Sequence, residues 1–399
     1  MQIRRLAVAV LSTLVCSSAF AIGNFEPNAG LQFNFSNPGA RSLGMGGAYL
    51  GFSDDATAAY TNPAGLTTLG SKEIFLEARR SGFDTSFVNG NSSGIFTDRS
   101  ETDVASPSYF AFVYPGEEWA LAFYRNEELD FENSFAKNEI QVPGGRIFAS
   151  AHTIDAEIVN YGGSFAYKVS DQLSLGGSVV YSMLDLISGS LRVRDDGGAG
   201  IFEAGDEESF TANIGLLYKF DERLSLGAAY RHGADFDIGV FALSPNGNIS
   251  RQGSGEFNVP HQFSVGVAYR ATEQLAIGFD AHYIDYSRLG DDPLAERFEN
   301  RNEFDSGTEL RLGGEYVFAT EVPFTLRAGV WHDPDHAFSF RGTPANFGQQ
   351  IDQVLFPKGD DEIHYALGFG FAFERAQIDF GADFSDNVDT LSLSGALRF

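Results

Sequence analysis

Residues 364–373 read His-Tyr-Ala-Leu-Gly-Phe-Gly-Phe-Ala-Phe. Large apolar side chains take every second position, and small or polar residues take the positions between them. This period of two predicts a β-strand with one apolar face. The alternation recurs from about residue 70 to residue 399. Many of the predicted strands are about 11 residues or longer, which suits a tilted strand that crosses a bilayer.

The alternating stretches predict about fourteen strands, an even number that can close into an antiparallel barrel. They lie at roughly 72–83, 105–115, 117–126, 154–169, 172–187, 207–220, 222–232, 257–270, 273–287, 304–318, 323–333, 361–374, 375–385 and 388–399. Short turns alternate with long polar loops, which are predicted near 84–104, 127–153, 188–207, 233–256, 288–303 and 334–361. Short turns at one rim and long loops at the other are typical of outer-membrane barrels. We therefore predict an all-β transmembrane antiparallel barrel of about 14 strands, with residues 71–399 forming the barrel.

Composition and charge support this fold class. The chain has 45 Gly, 38 Phe and 15 Tyr, which suits strands, tight turns and aromatic girdles rather than helices. Its 54 acidic and 27 basic residues argue against a nucleic-acid partner, since phosphates require a basic face. After residue 21, no apolar stretch is long enough for a transmembrane helix. We expect a monomer in the outer membrane of a Gram-negative bacterium, with both termini periplasmic and with lipid and lipopolysaccharide around it.

The two ends of the chain carry targeting features. Arg4 and Arg5 followed by an apolar run and by Ala19-Phe20-Ala21 predict a signal peptide over residues 1–21. Lipidation at Cys16 is the alternative, although the preceding residue is larger than such sites prefer. The last predicted strand ends in an aromatic residue, Phe399, which resembles the signal read by the outer-membrane assembly machinery.

Residues 22–70 do not alternate. They are rich in Gly, Asn and Ala, and Pro38 and Pro63 interrupt them. Their apolar content is too high for a disordered tail, so we predict a plug, or hatch, inside the barrel. A barrel of about fourteen strands has a lumen wide enough to leak without one.

Several stretches resemble the FadL/TodX family of outer-membrane transporters for long-chain fatty acids and aromatic hydrocarbons. The family's hatch motif corresponds to Asn62, Pro63 and Ala64. The other similar stretches are 40–48, 54–58, 65–66, 259–269, 285–287, 310–316 and 326–330. The resemblance implies a ligand that enters from the outer loops, binds in the lumen and leaves through a gap made by a kink in the third strand. The predicted third strand, 117–126, has neither Gly nor Pro to mark such a kink.

A hydrophobic ligand needs an apolar binding site in the lumen. The candidates in the hatch are Phe33, Phe35, Met45, Tyr49 and Phe52, which could instead pack the plug against the wall. By alternation Arg311, Glu315 and Arg327 face inward. The two arginines could bind a ligand carboxylate, or all three residues could form a charged ladder along the luminal wall.

Other functions have weaker support. No nucleophile motif, phosphate loop or metal-ligand spacing is present, so we expect no enzyme, no cofactor and no metal site. The sequence leaves three alternatives within the same fold. One is a porin-like channel for polar solutes, and another is a secretion-associated barrel that binds partner proteins. The third is a structural or adhesin barrel whose lumen is sealed.

Overall fold

A computed structural model describes residues 25–29, 31, 33, 35–195, 197–244, 247–290 and 302–399. The predicted signal peptide, residues 1–21, lies outside these ranges. Among the described residues, no helix has both the length and the apolarity needed to cross a membrane.

Fourteen strands form a closed antiparallel ring, as predicted. The first strand pairs with the last, and β6 pairs with both β5 and β7, which completes the closure. The strands are β1 (Glu73–Asn91), β2 (Gly94–Pro115), β3 (Trp119–Lys137), β4 (Ser150–Lys168), β5 (Leu173–Arg194), β6 (Gly197–Lys219), β7 (Leu224–Arg231), β8 (Gln262–Arg270), β9 (Leu275–Ile284), β10 (Gly307–Phe318), β11 (Phe324–Asp333), β12 (Glu362–Ala372), β13 (Ala376–Phe384) and β14 (Val388–Arg398).

Four of the predicted loops are wrong. Most of 127–153 lies in β3, in β4 and in the small hairpin Ile140–Val142 with Gly145–Ile147. Residues 84–104 and the described residues of 188–207 belong to the long hairpins β1–β2 and β5–β6, whose ladders reach the pairs Asn91↔Gly94 and Arg194↔Gly197. Most of 233–256 forms a further hairpin, Asp235–Leu243 with Ile249–Asn258, whose first strand pairs with β6. The polar composition of these stretches predicts loops, yet the hydrogen-bonded ladder continues through them.

The long strands reverse their polarity along their length, and β4 shows how. Within the apolar band, Tyr161 and Phe165 point outward and are exposed. Farther from the short turns, the outward positions become charged, as at Glu157, whereas the inward residues Ile154 and Ile158 are fully buried. The reversal follows from the surroundings, because the outer face meets lipid along one part of the strand and water along the rest.

The N-terminal segment, residues 35–70, fills the ring. It contains α2 (Ala40–Gly44), α3 (Ala58–Thr61) and a 3₁₀ turn (Pro63–Thr68), and it follows α1 (Phe25–Asn28). Its contacts reach strands all round the ring: the Ala56 amide donates to Glu73 of β1, Ser164 of β4 donates to Ala59, and the Ala40 amide donates to Ser394 of β14. Contacts on every side are possible only for a segment that lies within the lumen.

The outer end of the barrel is covered by an apolar cap. Helix α4 (Phe347–Leu355) and the small hairpin Ile140–Val142 with Gly145–Ile147 pack together over the ends of the long strands. The buried residues of this cluster are Val88, Ile140, Ile147, Phe338, Leu355 and Phe356. Between the cap and the N-terminal segment, the lumen is occupied by a second cluster of buried apolar side chains.

Candidate functional site

The luminal space beneath the cap is lined by apolar wall residues, and we call it the apolar chamber. Its walls come mainly from β3, β4, β5, the 235–258 hairpin and the segments next to it. The buried wall residues are Phe83, Leu129, Phe131, Ile154, Ala156, Ile158, Leu184, Leu186, Ala234, Phe236, Ile238, Phe257, Val259, Ile284 and Tyr286. An apolar lumen of this kind differs from the polar interior of a water-filled porin.

Two predicted ligand contacts lie in the chamber, together with a third apolar residue of the chain's N-terminal part. Phe33 and Phe35 stack on each other with ring centroids 5.2 Å apart, and Phe33 also contacts Phe257. Leu31 belongs to the same cluster. The described N-terminal residues thus occupy the volume that a hydrophobic ligand would need.

The wall of the chamber was missed by the sequence reasoning, although a signal was present. In 153–158 the apolar residues take the even positions, whereas in 159–167 the large apolar residues take the odd positions. The strand has no inserted residue, so even-numbered residues point inward along all of it. The switch of apolar residues from odd to even positions therefore marks the point where the inward face becomes apolar. In β3 a bulge at Glu128 has the same effect, since it turns Leu129 and Phe131 inward.

The chamber ends toward the N-terminal segment at a polar group around Tyr60 of α3. The Tyr60 hydroxyl donates to Glu128 at 3.4 Å, and the Arg231 guanidinium lies 4.6 Å from the centre of the Tyr60 ring. Asn160 donates to the other oxygen of Glu128 at 2.6 Å. Burial together with the charge of Glu128 raises the pKa of Tyr60 well above its ordinary value, against the opposing effect of Arg231. These hydrogen-bonded polar residues separate the apolar chamber from the rest of the N-terminal segment.

The other three aromatic or Met candidates lie elsewhere, between the N-terminal segment and the wall. Met45, Tyr49 and Phe52 form a small cluster with Ala268 of β8 and Ala276 of β9. Met45 and Tyr49 are fully buried, and Phe52 is nearly so. The structure therefore separates them from Phe33 and Phe35, and they contact the wall and other residues of the N-terminal segment.

The inward charges pair into a buried network centred on Arg41, a residue that sequence reasoning missed. Arg41 donates to both oxygens of Glu315, at 2.6 and 3.0 Å, and to Asp54 at 2.6 Å. Arg327 lies 3.2 Å from Glu315, whereas Arg311 pairs with Glu309 rather than with Glu315. Burial alone would raise the pKa of Asp54, but the charge of Arg41 lowers it. These arginines are thus already engaged with carboxylates of the chain.

The Asn-Pro-Ala triplet sits against the wall through close backbone contacts. Asn62 is fully buried and donates to the Leu216 carbonyl of β6 at 3.0 Å. A methyl group placed on Gly176 of β5 would lie 2.5 Å from the Ala64 amide and from the Pro63 carbonyl carbon. The backbone of residues 63 and 64 can therefore approach β5 this closely only because position 176 has no side chain.

The same arrangement continues round the ring and forms what we call the glycine belt. Each strand from β5 to β13 contributes one inward glycine that faces the N-terminal segment. The belt consists of Gly176, Gly215, Gly227, Gly266, Gly278, Gly313, Gly329, Gly368 and Gly381. Part of the high glycine content is explained by this close approach rather than by turns.

The backbone ladder between β2 and β3 is interrupted along one stretch, which we call the gap. Side-chain hydrogen bonds from Ser100 to Asn133 and from Ser106 to Glu127 still cross it. The ladder runs from Pro115↔Ala120 only to Tyr109↔Asn126. No ladder pair joins 94–108 to 127–137, all of which the structure describes, although each stretch remains paired with its other neighbour. The gap begins next to the Glu128 bulge in β3. The ladder with β2 therefore stops beside an inserted residue rather than at a Gly or Pro. Carboxylates of Glu127 and Asp130 lie at its edge.

Comparison with known proteins identifies this arrangement. Residues 21–388 match the family described as outer membrane protein transport protein (OMPP1/FadL/TodX). The chain belongs to this family. It is an outer-membrane channel for hydrophobic compounds and not an enzyme, and the resemblance seen in the sequence is confirmed.

Individual relatives of this FadL/TodX-family chain are distant in sequence but similar in extent. The long-chain fatty acid transport protein of Escherichia coli O6:H1 is 23% identical, over 95% of this chain and 89% of that protein. A FadL homologue of Pseudomonas aeruginosa has a TM-score of 0.69 at 14% identity, covering 93% of this chain and all of that one. The toluene transporter TodX of Pseudomonas putida has a TM-score of 0.67 at 16% identity, covering 92% and 99%. At these identities the solved structures support the fold alone.

Proposed function

We propose that the chain takes up long-chain fatty acids passively across the outer membrane, with residues 22–70 acting as a hatch. The observation that carries the proposal is the apolar chamber, the part of the lumen that is lined by side chains such as Phe131, Ile154 and Leu184. Each methylene that leaves water for such a site contributes about 0.8 kcal/mol, which favours a long tail. The name of the E. coli relative agrees with this ligand.

The gap between β2 and β3 supplies a route from the chamber through the wall. It opens beside Leu129 and Phe131, at the level where the outward face changes from Phe123 to charged residues. A ligand leaving here would pass from an apolar lumen directly to the edge of the bilayer. Asn62, Pro63 and Ala64 would hold the hatch while this happens.

A second candidate ligand is a neutral monoaromatic hydrocarbon. The edge of the gap carries Glu127 and Asp130, and Glu157 lies on the neighbouring strand. Like charges repel, so these carboxylates oppose the passage of an ionised fatty acid more than that of toluene. The structural likeness to a toluene transporter is compatible with this reading but concerns the fold only.

Uptake of labelled palmitate and labelled toluene by cells lacking their own transporters tests both ligands. Expression of the chain should raise palmitate uptake above that of an empty control. Ile154→Asp, which places a charge in the chamber, should abolish the rise. Thr153→Asp is the matched control, because its side chain points outward to water. No rise for either compound, with the barrel folded in the outer membrane, would refute the proposal, and a rise for toluene alone would replace the ligand.

A further inference from the structure

Glu26 of α1 lies at the outer end of the apolar chamber, where three nitrogen-bearing side chains surround its carboxylate. Lys137 Nζ is 3.2 Å from Oε1, His152 Nε2 is 2.9 Å from Oε2, and Arg192 Nη2 is 3.3 Å from Oε2. The side chains of Glu26, Lys137 and His152 are at most 4% exposed, and that of Arg192 is 19% exposed. A buried carboxylate with three such neighbours is a defined binding geometry.

The wall builds this cation site without help from Glu26. Lys137 and Arg192 both pair in register with Ser150, from opposite sides, so β3, β4 and β5 bring the two cations together. His152 is held by the hydroxyls of Ser150 and Ser190, at 2.7 and 2.9 Å, and it stacks on a neighbouring phenylalanine. The site is therefore a property of the ladder, and Glu26 is its occupant.

The residues that follow Glu26 extend this contact into the chamber. Leu31, Phe33 and Phe35 pack against its apolar walls. The described part of this stretch thus combines one buried carboxylate with a series of apolar groups. A fatty acid has the same chemical form, a carboxylate head followed by an apolar tail.

We propose that Glu26, Leu31, Phe33 and Phe35 act as an internal pseudo-ligand that occupies the site of an amphipathic carboxylate. Lys137, His152 and Arg192 bind the ligand's head, and the apolar chamber binds its tail. This inference rests on the proposed uptake of hydrophobic molecules and names the class that this site prefers. The incoming ligand displaces the pseudo-ligand and takes over both sets of contacts.

The exchange requires a carboxylate for a physical reason. Removing Glu26 leaves the buried Lys137 without the carboxylate that it pairs with, which is unfavourable unless another anion replaces it. Arg192 would keep only the charge of Asp352. Burial would raise the pKa of Glu26, but the hydrogen bond with His152 and the charges of Arg192 and Lys137 together lower it well below its ordinary value. Glu26 is therefore ionised when it occupies the cation site. A neutral alcohol of the same length can fill the chamber but cannot compensate the cations.

Equilibrium binding of labelled palmitate and labelled hexadecanol to the full chain in lipid nanodiscs tests the proposal. Glu26→Gln should bind palmitate about tenfold more tightly or better, because its competitor has lost its charge, with a smaller change for hexadecanol. Arg192→Gln should weaken palmitate binding and leave hexadecanol binding nearly unchanged. Glu132→Gln, an outward exposed position on β3, is the control and should change neither.

A covalent lock tests the displacement step. Ser188 donates to the Asn28 side chain at 2.6 Å, and Cys16, in the predicted signal peptide, is the only cysteine of the chain. A disulfide between cysteines introduced at positions 28 and 188 should block palmitate binding, and reduction should restore it.

The outcomes separate this inference from the proposed function. Binding of both probes with equal changes in every variant, and unchanged binding in the locked form, would overturn the pseudo-ligand while leaving hydrophobic uptake intact. Absence of binding of either probe to every form would instead overturn the proposed function.

Discussion

Arg41 and Glu315 join the N-terminal segment to the barrel wall through a bidentate ion pair, with N–O distances of 2.6 and 3.0 Å. Arg41 lies in α2, and Glu315 lies on β10. The same guanidinium donates to Asp54 and to the Tyr49 hydroxyl, so one cation holds the segment both to itself and to the wall. Most of this network is shielded from water, where paired charges depend strongly on one another.

Loss of Arg41 should loosen the segment. Arg41→Ala leaves Asp54 and Glu315 partly uncompensated in a buried setting, with an expected cost of about 3–5 kcal/mol. We expect a higher ion conductance in planar bilayers, because a loosened segment admits water. Arg270→Ala is the control, since that side chain is 58% exposed and 3.6 Å from Asp54. Equal conductance in the two variants would contradict the role assigned to Arg41.

The glycine belt predicts a strong difference between adjacent positions. A methyl group at Gly176 would lie 2.5 Å from backbone atoms of residues 63 and 64, whereas at Gly177 the nearest atom is 3.4 Å away. Gly176→Ala should therefore displace the Asn-Pro-Ala triplet and make residues 62–64 sensitive to protease. Gly177→Ala points away from the lumen and should behave as the unmodified chain. Protease resistance of both variants would show that the close packing is not required.

Asn62 should matter for the position of the segment rather than for the barrel. Asn62→Ala removes the donor to the Leu216 carbonyl and leaves that buried acceptor without its side-chain partner, at an expected cost of about 1–3 kcal/mol. Palmitate uptake should fall while the heat-resistant folded form persists on gels. Thr68→Ala, whose hydroxyl bonds only within the segment, is the comparison. Uptake unchanged in both would remove Asn62 from the hatch mechanism.

The outer cap should be more stable in mild acid. Burial raises the pKa of Asp352 in α4 to about 6; Arg192 lowers it and Glu26 raises it further. A carboxyl whose pKa is higher in the folded state than its unfolded value of 3.8 favours folding fully below pH 3.8, and this contribution is lost as pH rises through about 6. The nearby Lys137 and His152 face Glu26 in the same cluster.

Hydrogen exchange of α4, corrected for intrinsic rates, measures this effect. Protection should increase from pH 7.5 to pH 5 in the unmodified chain, because protonation removes the cost of burying the Asp352 charge and also its repulsion from Glu26. Asp352→Asn should lose most of that dependence. A pH dependence that persists in the variant would assign it to another group.

The periodicity of the sequence predicted every strand of the ring but not how far the strands extend. Alternation in 154–169 predicts β4 because outward side chains within the bilayer must be apolar. Beyond the bilayer the outward side chains face water, which does not require them to be apolar. The sequence therefore predicts polar loops for the upper parts of β1 to β6. Their ladder depends on partners distant in sequence, which a single stretch does not reveal.

The candidate site was predicted in part for a related reason. Phe33 and Phe35 were accessible to reasoning because they are apolar residues in a segment expected inside the barrel. Arg41 and Glu26 were not, because their partners lie 274 residues away in one case and on three different strands in the other. Residues that meet across the lumen are brought together by closure of the ring. Their pairing is therefore visible only in the three-dimensional structure.

The glycine belt also bears on how the two parts of the molecule can change over time. Where backbone meets backbone, the wall recognises the path of the N-terminal segment and not the identity of its side chains. Side chains on the segment are then free to diverge wherever they neither join the Arg41 network nor contact the wall, as those of Asn62 and Met45 do. Segments from distant members of the family should be interchangeable between barrels, provided that they follow the same path.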